Sequence, residues 1–164
     1  MAVLEGMDKI LNIINKFLED YDVTAYWNED FEAVCDENKI GFTLAPTQED
    51  LNYFMNDAQS RYSFVQADPM LWLLFHEVGH IMTNDQWTTE ELEYFEYQKE
   101  QMSYIEDDQM RNDWYHALPD EFAATRWAAF FMYENEEKVQ AFWEELQPAI
   151  LEFYFTHELS NDED

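Results

Sequence analysis

From Pro69 to Met82 the chain is apolar at every position except His76, Glu77 and His80. Asp68-Pro69 opens this stretch with an N-cap acid and a proline suited to a first helical turn, and Asn84-Asp85 closes it. A helix this apolar must be buried, so the rest of the chain has to fold around it. Its three polar groups would be costly there without partners. His76 and His80 lie one turn apart on one face, so both imidazoles can grip a single ion. Zinc fits these ligand types, with bonds of about 2.0–2.1 Å to each nitrogen. Glu77 projects beside the same face, where it can take a proton from activated water. Gly79 has no side chain, so another element can pack close at that turn.

A catalytic zinc site needs a third protein ligand and leaves one position for water. Glu121 is the candidate, in the first turn of a helix expected over 119–134 and begun by Pro119. Ala124, one turn further on, is small enough for the metal helix to approach. Asp120 competes for the role, although it better fits an ordinary first-turn acid favoured by the helix dipole. Hydrolysis also wants a donor for the developing oxyanion. His116, Tyr115 and Tyr104 are candidates. His116 is expected in a loop with Trp114 and Tyr115, pointing into the cleft as a catalytic group beside Glu77. His157 reads as a surface residue and Cys35 as buried filler in a strand.

Elsewhere the pattern predicts an amphipathic helix over 3–20, with Leu4, Met7, Ile10, Leu11, Ile14 and Leu18 at helical spacing. Three strands follow at 23–27, 31–35 and 39–45. A helix runs from Thr47 to about Tyr62. Thr88-Thr-Glu-Glu91 is a capping box opening an acidic helix that ends near Glu106. Between Thr88 and Asp113 nine acids face only Lys99 and Arg111 as bases. Asn135 is placed to cap a last helix, which Pro148 should kink or break. Phe130, Phe131, Met132, Trp143, Phe153 and Phe155 read as core. The expected fold class is α+β, mostly helical, with a small antiparallel sheet of about three strands.

The 164 residues suit one domain spanning 1–164, with an acidic insertion at about 85–118. A net charge of −29 argues against direct nucleic-acid binding, because phosphates would be repelled, and favours basic partners. Cys35 is the one cysteine, which excludes an internal disulfide and suggests a reducing compartment. The N-terminus lacks the features of a signal peptide, and no apolar run is long enough to span a membrane. A cytoplasmic protein is expected.

His76-Glu-Val-Gly-His80, followed by Glu121-x-x-Ala124-x-x-Trp127-Ala128, resembles the ImmA/IrrE family of zinc metallopeptidases. Trp127 stands where phenylalanine is usual. The resemblance covers roughly residues 36–134 and is carried by two short motifs. It implies a zincin-like fold with His76, His80 and Glu121 as zinc ligands and Glu77 as the base. It also implies an endopeptidase whose substrates are helix-turn-helix repressors, with 39–45 as the edge strand before the metal helix. The 85–118 segment departs from the family by its length and acidity, and as a cover over the cleft it would put activity in doubt. The competing expectation is a non-catalytic, DNA-mimicking acidic protein that sequesters a basic DNA-binding partner.

Overall fold

The structure, a computed structural model, describes residues 2–162, with the side chains of 5–49 and 51–156. The expectation for His157 falls outside those side chains. Helix α1 (Ala2–Leu18) is followed by strands β1 (Thr24–Trp27), β2 (Glu32–Val34) and β3 (Lys39–Phe42). Six helices complete the chain: α2 (Gln48–Arg61), α3 (Pro69–Thr83), α4 (Thr89–Met102), α5 (Asp108–Ala117), α6 (Pro119–Glu134) and α7 (Glu136–Asp162). This is the α+β, mostly helical architecture the sequence predicts.

Ile10, Ile14 and Leu18 form a fully buried stripe on α1, four residues apart, as helical periodicity requires. α1 packs against both α7 and β1. The Asn15 side chain ties it to the sheet, accepting from the Ala25 amide at 2.6 Å and donating to the Ala25 carbonyl at 3.2 Å.

The sheet has the order β1-β3-β2. β2 runs antiparallel to β3, but β1 runs parallel to it, so the sheet is mixed. This also corrects the edge assignment: β3, with Lys39 to Phe42, is the central strand, and β2 is the edge beside α3. Burial explains the order. Ile40, Gly41 and Phe42 are all buried, so the most apolar strand takes the middle, where both neighbours cover it. Gly41 also leaves room above itself, since a Cβ there would lie 2.8 Å from Glu32 Cγ and 2.9 Å from Asn28 Cβ. Across that gap the Tyr26 hydroxyl donates to Glu32 Oε1.

Further expectations change. Residues 114–116 belong to helix α5, not to a loop. Its start was written in Asp107, whose carboxylate accepts from the Met110 amide at 2.8 Å. α4 stops at Met102, short of Glu106. α7 runs through Pro148 without a break. Leu146, Ala149 and Ile150 around that proline are buried, and their packing offsets a helix penalty of about 3 kcal/mol. Among the aromatics, Phe131 and Met132 are core while Phe130 is exposed, because consecutive helical residues point about 100° apart. Phe155 is likewise exposed. Among the described residues no helix is long and apolar enough to cross a membrane.

Candidate metal centre

Among the described residues α3 and α6 make the most extensive helix contact, and Gly79 permits it. A Cβ on Gly79 would lie 2.4 Å from the Ala124 carbonyl oxygen and 3.0 Å from the Ala124 Cα. These are backbone atoms and cannot swing aside. Gly79→Ala should therefore push the helices apart. Overpacking of about 1–3 kcal/mol exceeds the roughly 1 kcal/mol gained in helix propensity. The expected result is a lower thermal midpoint together with weaker zinc binding, read by calorimetry. A variant as stable as wild type would contradict the close-contact argument.

With the helices this close, Glu121 meets both histidines. Its Oε2 lies 3.0 Å from His76 Nε2 and 2.8 Å from His80 Nε2, and the two Nε2 atoms are 3.2 Å apart. The three donor atoms form a cluster that can hold one metal ion. Two imidazole nitrogens and a carboxylate oxygen are the donor set of a three-ligand catalytic zinc site, so the residues fit the metal. His76 and Glu121 are buried, and the His80 side chain is 15% exposed. Thr125, one turn after Glu121 on α6, places its hydroxyl 2.9 Å from His76 Nδ1. That contact fixes the ring so that Nε2 faces the cluster.

The electrostatics favour a cation at the same point. Burial works against a charge on His80, but the Glu121 carboxylate, by charge and hydrogen bond, raises its pKa to about 9. Burial likewise opposes ionised Glu121, yet the neighbouring histidines hold its carboxyl well below the usual range. Glu77 moves the other way. Loss of water raises its pKa, against the opposing pull of His76 and His80. A carboxylate with raised basicity suits proton transfer.

Asp120 does not join the cluster. Its Oδ1 accepts from the Glu121 amide at 2.9 Å, and its Oδ2 accepts from Lys99 Nζ at 2.8 Å. Lys99 also lies 3.3 Å from Glu121 Oε1, the oxygen turned away from the histidines. Burial disfavours its charge, but Glu121 and Asp120 together hold its pKa above the ordinary lysine value. Lys99 and Thr125 are the two residues the sequence reading missed. Lys99 carried a signal, as the lone lysine among the acids of 88–113. Thr125 carried another, one turn from Glu121. Lys99→Met would leave two buried carboxylate oxygens without their cation. About 3 kcal/mol of stability should be lost, measured by urea unfolding with a chelator present. An unchanged midpoint would show that the bridge contributes nothing.

Two cavities, of about 460 and 540 Å³, meet at Phe31, Glu77, Lys99 and Tyr115. The first is walled by α2, α3, α4 and α5 and includes His76 and His116. The second runs along Glu32, Ala33 and Val34 of edge strand β2 and includes His80 and Glu121. The acidic segment is thus a wall of the cleft, through Lys99, Met102, Tyr115 and His116. Burial, together with the charge of the Glu121 carboxylate, pushes the Tyr115 hydroxyl pKa well up, so it stays protonated. His116 is buried, with its ring 5.8 Å from that of Phe54. Tyr104 is 74% exposed and lines neither cavity. Cys35 follows β2 in a 3₁₀ turn, half-buried, and its thiol donates to the His80 carbonyl at 3.6 Å. It helps hold the edge strand against the metal helix.

No family model matches the chain, and neither the curated proteins nor the solved structures contain a significant match.

Proposed function

We propose that this chain is a zinc-dependent endopeptidase. The observation that carries the reading is the His76, His80 and Glu121 cluster, with Glu77 beside it at the junction of two cavities. Zinc held by these three residues would act as a Lewis acid, polarising a scissile carbonyl and acidifying water. Glu77 takes the proton of the attacking water and passes it to the leaving amine. The oxyanion donor is assigned to Tyr115 rather than His116. Tyr115 borders both cavities at the junction, whereas His116 borders only one.

Cavities on both sides of Glu77 favour cleavage inside a chain over trimming of an end. The open edge of β2 can hold an extended peptide by main-chain hydrogen bonds. The net charge of −29 favours a basic substrate. The two motifs and the ImmA/IrrE resemblance support a helix-turn-helix repressor as the substrate class, in the cytoplasm.

The test is incubation of the zinc-loaded protein with purified basic helix-turn-helix proteins and with casein, followed by mass spectrometry of the fragments. Cleavage at internal bonds, abolished by a chelator, is expected. Salt-sensitive binding of the basic proteins without any cleavage would instead favour the acidic decoy.

A further inference from the structure

Lys99 is the one base on the acidic helix α4, and the fold turns it inward. Phe95, Lys99 and Met102 share a face of that helix by their spacing. Phe95 and Met102 are buried, and the Lys99 side chain between them is 19% exposed. Phe95 anchors this face, with its ring 5.2 Å from that of Trp87. Lys99 Nζ then stands between α4 and the first turn of α6. It donates to Asp120 Oδ2 at 2.8 Å and pairs with Glu121 Oε1 at 3.3 Å. Asp120 is held in turn, since its other oxygen accepts from the Glu121 amide. Packing alone would favour an apolar residue between Phe95 and Met102. An inward ammonium is costly there, and close carboxylates offset the cost.

The two oxygens of Glu121 therefore have different partners. Oε2 faces both histidines, at 3.0 and 2.8 Å. Oε1 faces the ammonium of Lys99. We propose that Lys99 is a positioning residue, which limits Glu121 to a single donor oxygen and so keeps the fourth position of the metal centre free. The proposal deepens the peptidase reading and rests on its zinc site. Carboxylates bind metals through one oxygen or through two. A second oxygen from Glu121 would fill the position that a three-ligand site leaves open. An oxygen paired with an ammonium is withheld from that role. Lys99 also brings a positive charge within one carboxylate of the cluster, which lowers its affinity for any cation. The clamp thus weakens metal binding while preserving the open position. Helix α4 thereby takes part in the site rather than only walling the cleft.

The test begins with zinc X-ray absorption of the loaded wild-type protein. It should show one Glu121 oxygen on the metal, with the long metal-to-carboxyl-carbon distance of single-oxygen binding. Lys99→Met should add the second oxygen and shorten that distance. Its zinc affinity, read by competition with a fluorescent chelator, should rise about ten- to hundredfold, the usual size for a group acting through a ligand. A lysine that merely held the fold together would give the opposite sign, since its loss would loosen the site. Lys99→Arg keeps the charge and presents a fork that can pair with both carboxylates, so it should restore wild-type affinity and spectrum. Circular dichroism confirms that the variants are folded, and the wild-type spectrum decides alone if Lys99→Met is not. Two Glu121 oxygens on zinc in wild type would overturn the proposal. So would folded Lys99→Met with an unchanged oxygen count or no tighter binding, or Lys99→Arg behaving like Lys99→Met. Peptide hydrolysis by the same samples is scored separately. Single-oxygen binding without hydrolysis would remove the peptidase reading and leave the role of Lys99 standing. Hydrolysis by wild-type protein with both oxygens on zinc would do the reverse. No zinc uptake would remove both.

Discussion

Glu77→Gln should lower the rate of peptide cleavage by about 10²- to 10⁴-fold while leaving zinc content unchanged. The size follows from the role. Glutamine keeps the shape of the side chain and its place at the junction of the two cavities, but it cannot accept a proton from water. Glu77 makes none of the contacts that assemble the cluster, whose donor atoms are all on His76, His80 and Glu121. Metal retention and loss of turnover should therefore separate cleanly. The substitution also replaces a carboxylate whose burial already disfavours its charge, so the variant should be at least as stable as wild type. Metal analysis beside a fluorogenic peptide assay decides the matter. Cleavage within tenfold of wild type would remove Glu77 as the base. Loss of zinc would mean that Glu77 helps to hold the metal.

The metal helix was legible in the sequence because its signals are local. Asp68 caps it, Pro69 starts it, and the i,i+4 spacing of His76 and His80 fixes their common face whatever surrounds them. Glu121 was legible for a related reason: Gly79 and Ala124 are both small where two helices had to meet, and the structure puts them in contact. Strand order was not legible. Three short strands can pair in several ways, and the outcome turned on how fully Ile40 and Phe42 are buried between two neighbours, a tertiary quantity. Lys99 was read only as a base in an acidic helix, since its partners Asp120 and Glu121 lie more than twenty residues away. Helix α5 was hidden because its strongest local signal, the Asp107 cap, sits in a run of acids that reads equally well as a solvated loop.

Zinc should raise the thermal midpoint of the wild-type protein strongly, and Glu121→Ala and His80→Ala should abolish that shift. A ligand that binds only the folded state stabilises it by about 4 kcal/mol when present at a thousandfold excess over Kd. For a domain of this size that corresponds to roughly 8–16 °C. Removing Glu121 takes away the one donor that reaches both histidines, and two imidazoles alone do not make a closed three-ligand site. Removing His80 leaves the equivalent gap on the other helix. Asp120→Asn is the informative control. Its one remaining oxygen can accept from Lys99 or from the Glu121 amide, though not from both, and neither bond involves the cluster's donor atoms, so the shift should survive. Calorimetric scans with zinc and with a chelator give the comparison directly. A shift lost in Asp120→Asn but kept in Glu121→Ala would move the third ligand to Asp120. A shift absent even from wild type would mean that the cluster does not take up zinc, and the peptidase reading would fall with it.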